Sequence, residues 1–191
     1  MNKKTRNMIL VALFSALTAI GAYLEIPTQP VPITLQVLFS MYAGVLLGAR
    51  LGSLSQIIYM FMGLVGLPVF AGGKGGIGSV FSTSFGYVIG FIFCAFIVGF
   101  LTERIKEKKG FTGFIKILGA TLIGLSAVYI IGVIYLYLIF NAMTVEAPIT
   151  INTALTWGLY PFILQDIIKC ALVAFTALKV IPIIKRAGYI E

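Results

Sequence analysis

Apolar residues in this chain run in long stretches, and the polar and charged residues gather between them. A helix needs about 20 largely apolar residues to cross the hydrocarbon core of a bilayer. The first run is Met8 to Leu24, behind Lys3, Lys4 and Arg6. Two shorter runs, Leu35–Ala49 and Leu51–Leu67, are separated only by Arg50. Gly44, Gly48 and Gly52 recur through their junction, so the pair reads as a helical hairpin or as two short helices that stop within the bilayer. A fourth run covers about Ile77 to Leu101. The fifth, Gly113 to Phe140, and the sixth, Leu155 to Ile181, are long enough to tilt or overshoot. The pattern predicts an all-α membrane protein of six transmembrane helices, one transmembrane domain over residues 1–191.

Composition removes the alternatives. The chain is 60% hydrophobic and 10% charged, against roughly 25% charged in an ordinary soluble domain, so water cannot be the solvent for most of its surface. Cys94 and Cys170 sit inside apolar runs without metal-ligand spacing, and there is no histidine; they read as small buried hydrophobes, and no metal is expected. The basic start before Met8 resembles a signal peptide, but the run is long for one and is read as a retained first span.

The net charge of +8 would suggest nucleic acid in a soluble domain. Here its placement matters more. With the N-terminus inside, Lys3, Lys4, Arg6, Arg50, Arg104, Lys106, Lys108, Lys109, Lys116, Lys179, Lys185 and Arg186 fall on the inner side and Lys74 alone on the outer side. This asymmetry predicts that both termini are cytoplasmic, and no nucleic-acid partner is expected. The outer segments are then the proline-rich Pro27–Thr34, expected to take an extended, polyproline-like path; the glycine-rich Gly72–Gly78; and Asn141–Asn152, followed by Trp157 and Tyr160 as an aromatic belt.

Little polar chemistry is left for the spans. Asp166 is the one acid inside a run and Lys169 the one cation, three residues later on the same helix face. They read either as a structural pair or as a polar pocket for a ligand entering from outside. A proton pathway would need more stations. Gly73–Gly78 matches GxGxxG formally, but no strand precedes it and the chain has no βαβ unit. The segment reads instead as a flexible turn, or as a nest of backbone N–H groups suited to an anion. No GxxxxGK(S/T), GxSxG or HExxH occurs, and the chain is not expected to be an enzyme. Ala12 and Ala16 form a small-xxx-small pair on the first helix.

Four segments, Pro30-Val-Pro-Ile-Thr-Leu-Gln36, Gly63-Leu-Val-Gly-Leu-Pro-Val-Phe-Ala-Gly-Gly73, Gly86-Tyr-Val-Ile-Gly-Phe91 and Asp166-Ile-Ile-Lys169, resemble in order and spacing the BioY family, the biotin-binding (S) components of energy-coupling factor (ECF) transporters. Where that family often has Gly-Pro-Thr-Gly-Gly-Tyr, this chain has Ser82-Thr-Ser-Phe-Gly-Tyr87. The resemblance implies a multi-pass protein of a bacterial plasma membrane. It would bind biotin with high affinity in an outward-facing pocket, without a cofactor, and work with a transmembrane coupling subunit and two cytosolic ATPases; a self-sufficient facilitator without ATPase partners is the alternative. By the same resemblance, Ala12 and Ala16 would dock the coupling subunit. For the ligand, the preferred pose sets the ureido ring deep, on Asp166 and Lys169, with the carboxylate at the N–H groups of Gly73 to Ser79, Gly76 among them. The reverse pose puts the carboxylate on Lys169. Phe70 and Tyr87 are expected as walls, Gln36 and Ser79 as further hydrogen-bonding groups.

Overall fold

A computed structural model describes residues 2–105, 109–143 and 148–186. Lys106, Glu107, Lys108, Glu146 and Glu191 therefore lie outside the described residues. The helices are α1 (Lys3–Tyr23), α2 (Gln36–Leu64), α3 (Phe85–Glu103), α4 (Gly110–Met143), α5 (Ile151–Gly158) and α6 (Tyr160–Arg186). Four of them, α1 to α4, are long and apolar enough to cross a membrane.

Helix α2 doubles back on itself. Gly48 adopts φ 81°, ψ 179°, a backbone conformation open to glycine and strained for other residues. Beyond it, Gln36 Nε2 lies 2.6 Å from the Tyr59 hydroxyl, and a Cβ on Gly52 would stand 2.8 Å from the Ala43 carbonyl oxygen. Residues 36 and 59 are thus neighbours, as are 43 and 52, which requires two antiparallel arms. Of the two sequence-based alternatives, the hairpin is the one observed. The second arm starts with an unsatisfied N–H at Ala49, and Glu103 Oε1 accepts it at 2.9 Å from the end of α3, so an acid from the next helix caps the turn.

Glycine lets these rods approach. A Cβ on Gly99 would come within 2.6 Å of Ala49 Cα, and one on Gly44 would stand 3.1 Å from the Gly99 nitrogen. Backbone on backbone cannot yield, so Gly99→Ala is expected to lower stability by about 2–3 kcal/mol in detergent melts. Gly119→Ala on α4, with open space around it, should be neutral or stabilising by ~0.5–1 kcal/mol.

Contacts fix the direction of every rod. Ser40 of the first α2 arm donates to the Phe91 carbonyl and Tyr42 meets Thr176, so that arm, α3 and α6 run the same way. The glycines of α3 meet α4 in reverse order, Gly86 against Tyr135 and Gly90 against Val128. Ser15 and Thr18 of α1 meet Ser55 and Gln56 of the second α2 arm. The two α2 arms are counted separately, so the six rods alternate in direction. The start of α1, the Gly48 turn, the α3–α4 junction and the end of α6 share one end of the bundle.

The opposite end departs from the expectations. Pro27–Thr34 does not follow a polyproline path: β1 (Glu25–Ile26) pairs antiparallel with β2 (Ile33–Thr34), the prolines fill the connecting turn, and Gln29–Pro30 is cis. The fourth run does not begin as a span at Ile77. Ala71–Gly73 and Ile77–Phe81 are short 3₁₀ turns, and α3 starts only at Phe85, after the Ser82-Thr-Ser stretch. The sixth run is two helices, broken at Leu159 (φ −125°, ψ −58°).

Candidate ligand-binding site

The broken helices and loops of this end line a cavity whose empty space, the open mouth included, is about 710 Å³. Its floor is the expected pair. Asp166 and Lys169 are only 5% and 7% exposed, and Lys169 Nζ lies 2.7 Å from Asp166 Oδ1. Other elements complete the partners. Tyr129 of α4 donates its hydroxyl to Asp166 Oδ2 at 2.6 Å, and Lys169 donates to the Thr34 carbonyl at 2.8 Å. Both charges are therefore compensated, as buried charges must be. An ammonium has three N–H donors; two are used here and one remains for a ligand, and each carboxylate oxygen can accept again.

The walls come from elsewhere in the chain. Phe70 stands edge-on to Tyr59 and Phe85, with centroids 5.6 and 6.1 Å apart, and it lies over Gly63, where any side chain would strike its ring. Tyr87 donates to the Gly158 carbonyl at 2.7 Å. The last turn of α5 is thereby fastened to α3 where the chain breaks before α6. Its hydroxyl spent, Tyr87 offers the cavity its ring, beside Phe162.

Gln36 and Ser79 both line the cavity. Gln36 is largely committed within the protein: Nε2 donates to Tyr59, and Oε1 accepts from the Thr34 hydroxyl at 3.0 Å. Gly73 and Gly76 are not lining residues, and Gly76 gives its N–H to the Gly63 carbonyl at 2.7 Å. That corrects the expectation of Gly76 as a free anion donor: the loop folds down onto the end of α2, and its amide is used in holding it there. Ala12 and Ala16 are not lining residues, and both are exposed.

Sequence reasoning missed Tyr129, Thr34, Lys74 and Phe162 as lining residues. Phe162 was within reach, since Phe162, Asp166 and Lys169 follow one another at helical spacing. Tyr129 carries no such signal in its apolar run.

The model of the BioY family matches residues 1–186. The chain belongs to the BioY family. Among curated relatives, a BioY protein of Pyrococcus horikoshii named "Probable biotin transporter BioY" is 38% identical over 88% of this chain and 91% of its own length. The "Biotin transporter BioY" of Thermotoga maritima is 36% identical over 91% and 95%. A BioY relative from Lysinibacillus sphaericus, also named a probable biotin transporter, reaches 44% over 73% of this chain and 68% of its own. A crystal structure described as the S-component for biotin from an ECF-type ABC transporter superposes with a TM-score of 0.78, at 32% identity and over 94% of both chains.

Proposed function

We propose that this chain captures biotin from outside a bacterial plasma membrane, as the S component of an ECF importer whose coupling subunit and two ATPases are separate chains. The observation that carries the reading is the Asp166–Lys169–Tyr129 group, a buried ion pair with a hydroxyl partner in a cavity walled by aromatic and aliphatic side chains. A ureido ring, with two N–H donors beside one carbonyl, suits a carboxylate adjacent to an ammonium, and charge-assisted bonds of this kind are the strong ones. Phe70, Tyr87 and Phe162 supply apolar contact for the thioether ring and the aliphatic chain. Relatives named as biotin transporters support the same reading.

The alternation of six rods supports six membrane crossings, with the α2 arms, about 18 and 24 Å long at ~1.5 Å per residue, as short spans. Among the described residues, Lys3, Lys4, Arg6, Arg50, Arg104 and Lys109 belong to the bundle end shared by the α1 start and the α6 end, which supports cytoplasmic termini. The cavity then opens outward.

Titration of purified protein with biotin tests the substrate; no heat at micromolar ligand would overturn it. Lys169→Ala distinguishes the poses. With the ureido ring deep, the variant weakens biotin and biotin methyl ester alike, by about tenfold or more. With the carboxylate on Lys169, only the acid loses affinity.

A further inference from the structure

Three charged side chains line the cavity, and two of them cancel. Asp166 and Lys169 hold one another at the floor. The third, Lys74, stands on the glycine loop at the mouth, exposed, and its ammonium makes no hydrogen bond or ion pair among the described residues. The lining therefore carries a net charge of +1, and all of the surplus sits on this one side chain.

The fold holds the backbone of this residue and leaves its ammonium free. Gly72 and Gly73 turn the chain with φ 72° and 66°, and Lys74 follows in an extended conformation, φ −80°, ψ 154°. Its carbonyl accepts the Phe70 N–H at 2.9 Å, so its backbone is tied to the wall residue Phe70. The obvious acidic partner is left unused. Glu25 of β1 stands on the other side of Gly72: a Cβ there would lie 3.7 Å from Glu25 Oε1 and 3.8 Å from Lys74 Cε. No ion pair joins the two, and Glu25 is not part of the lining. The backbone alternative is weakened as well, because the Gly76 N–H is already bonded within the loop.

We propose that Lys74 is the counter-ion for the ligand's carboxylate, and that through it this protein selects a monoanionic acid over its uncharged esters. The proposal rests on the biotin reading above, with the neutral ring at the floor. A lysine suits the place, since its compact charge on a flexible stem can follow a carboxylate at the end of an aliphatic tail, and a site with surplus charge +1 is neutralised by one carboxylate.

The test is equilibrium titration of biotin and biotin methyl ester into the purified wild type, Lys74→Met and Lys74→Arg. The wild type is expected to bind the ester about tenfold more weakly than the acid. Lys74→Met should weaken the acid about tenfold and leave the ester unchanged, so that the preference disappears. Lys74→Arg should restore it. Added salt should weaken the acid in the wild type and not in Lys74→Met. If Lys74→Met keeps the preference for the acid, or weakens both ligands equally, the assignment of Lys74 is overturned while biotin binding stands. If neither ligand binds the wild type, the biotin reading itself fails.

Discussion

Asp166→Ala is expected to abolish biotin binding, raising the dissociation constant by roughly a thousandfold or more, and to lower the stability of the empty protein by about 3–5 kcal/mol. The change removes the acceptor of two bonds at once, from Lys169 and from Tyr129, and leaves an ammonium buried with only the Thr34 carbonyl. Stability and binding can be separated. Replacing both charges, as Asp166→Leu with Lys169→Met, removes the uncompensated ion, and such exchanges are often neutral or stabilising. The double variant should therefore melt near the wild type in detergent and still fail to bind. A double variant that is stable and retains binding would show that the pair serves only the fold and would overturn the proposed site.

The second large effect concerns the opposite side of the molecule. If the proposed ECF partnership holds, Ala12→Trp and Ala16→Trp are each expected to reduce ATP-driven uptake to background in proteoliposomes that also hold the proposed coupling subunit and ATPases, and to leave biotin binding within about twofold of wild type. Helix α1 packs inward through Val11, Phe14, Ser15, Thr18 and Ala22. Ala12 and Ala16 stand on its other face, beside exposed Met8, Ile9 and Leu13. Both are exposed, so among the described residues packing does not account for their small size. In lipid, small residues matter where another helix comes close, and an indole there would hold that helix off. Co-purification of the coupling subunit checks the cause directly. Full uptake by both variants would remove this face from the interface. Uptake by the chain alone in liposomes would favour the facilitator instead.

The four apolar helices able to cross a membrane, α1 to α4, and the buried Asp166–Lys169 pair were legible because hydropathy and charge are local signals. Burial of Asp166 and Lys169 at one helix turn follows from their positions in an apolar run, whatever packs around it. The hairpin was half legible: Gly44, Gly48 and Gly52 marked a close approach, but the φ of Gly48 and its cap from Glu103 depend on a helix more than fifty residues later. The late start of α3 and the break at Leu159 were missed because uncharged segments at the bundle end, residues 77–84 and 155–159, read as continuous with the apolar runs beside them. The break is fixed by Tyr87, whose hydroxyl reaches across 71 residues to the Gly158 carbonyl. Lys74 was counted only as an orientation charge. Its place at the mouth depends on where the loop folds down, and the bond from Gly76 to Gly63 that sets this has no sequence signature.

The bond from Lys169 to the Thr34 carbonyl joins residues 135 positions apart, so the floor of the cavity is finished by α6, the last of the described helices to be made. At about 5–20 residues per second, the hairpin carrying Thr34 leaves the ribosome on the order of ten seconds before the lysine that fastens to it. A ligand that needs both Asp166 and Lys169 can therefore engage the chain only once α6 is in place.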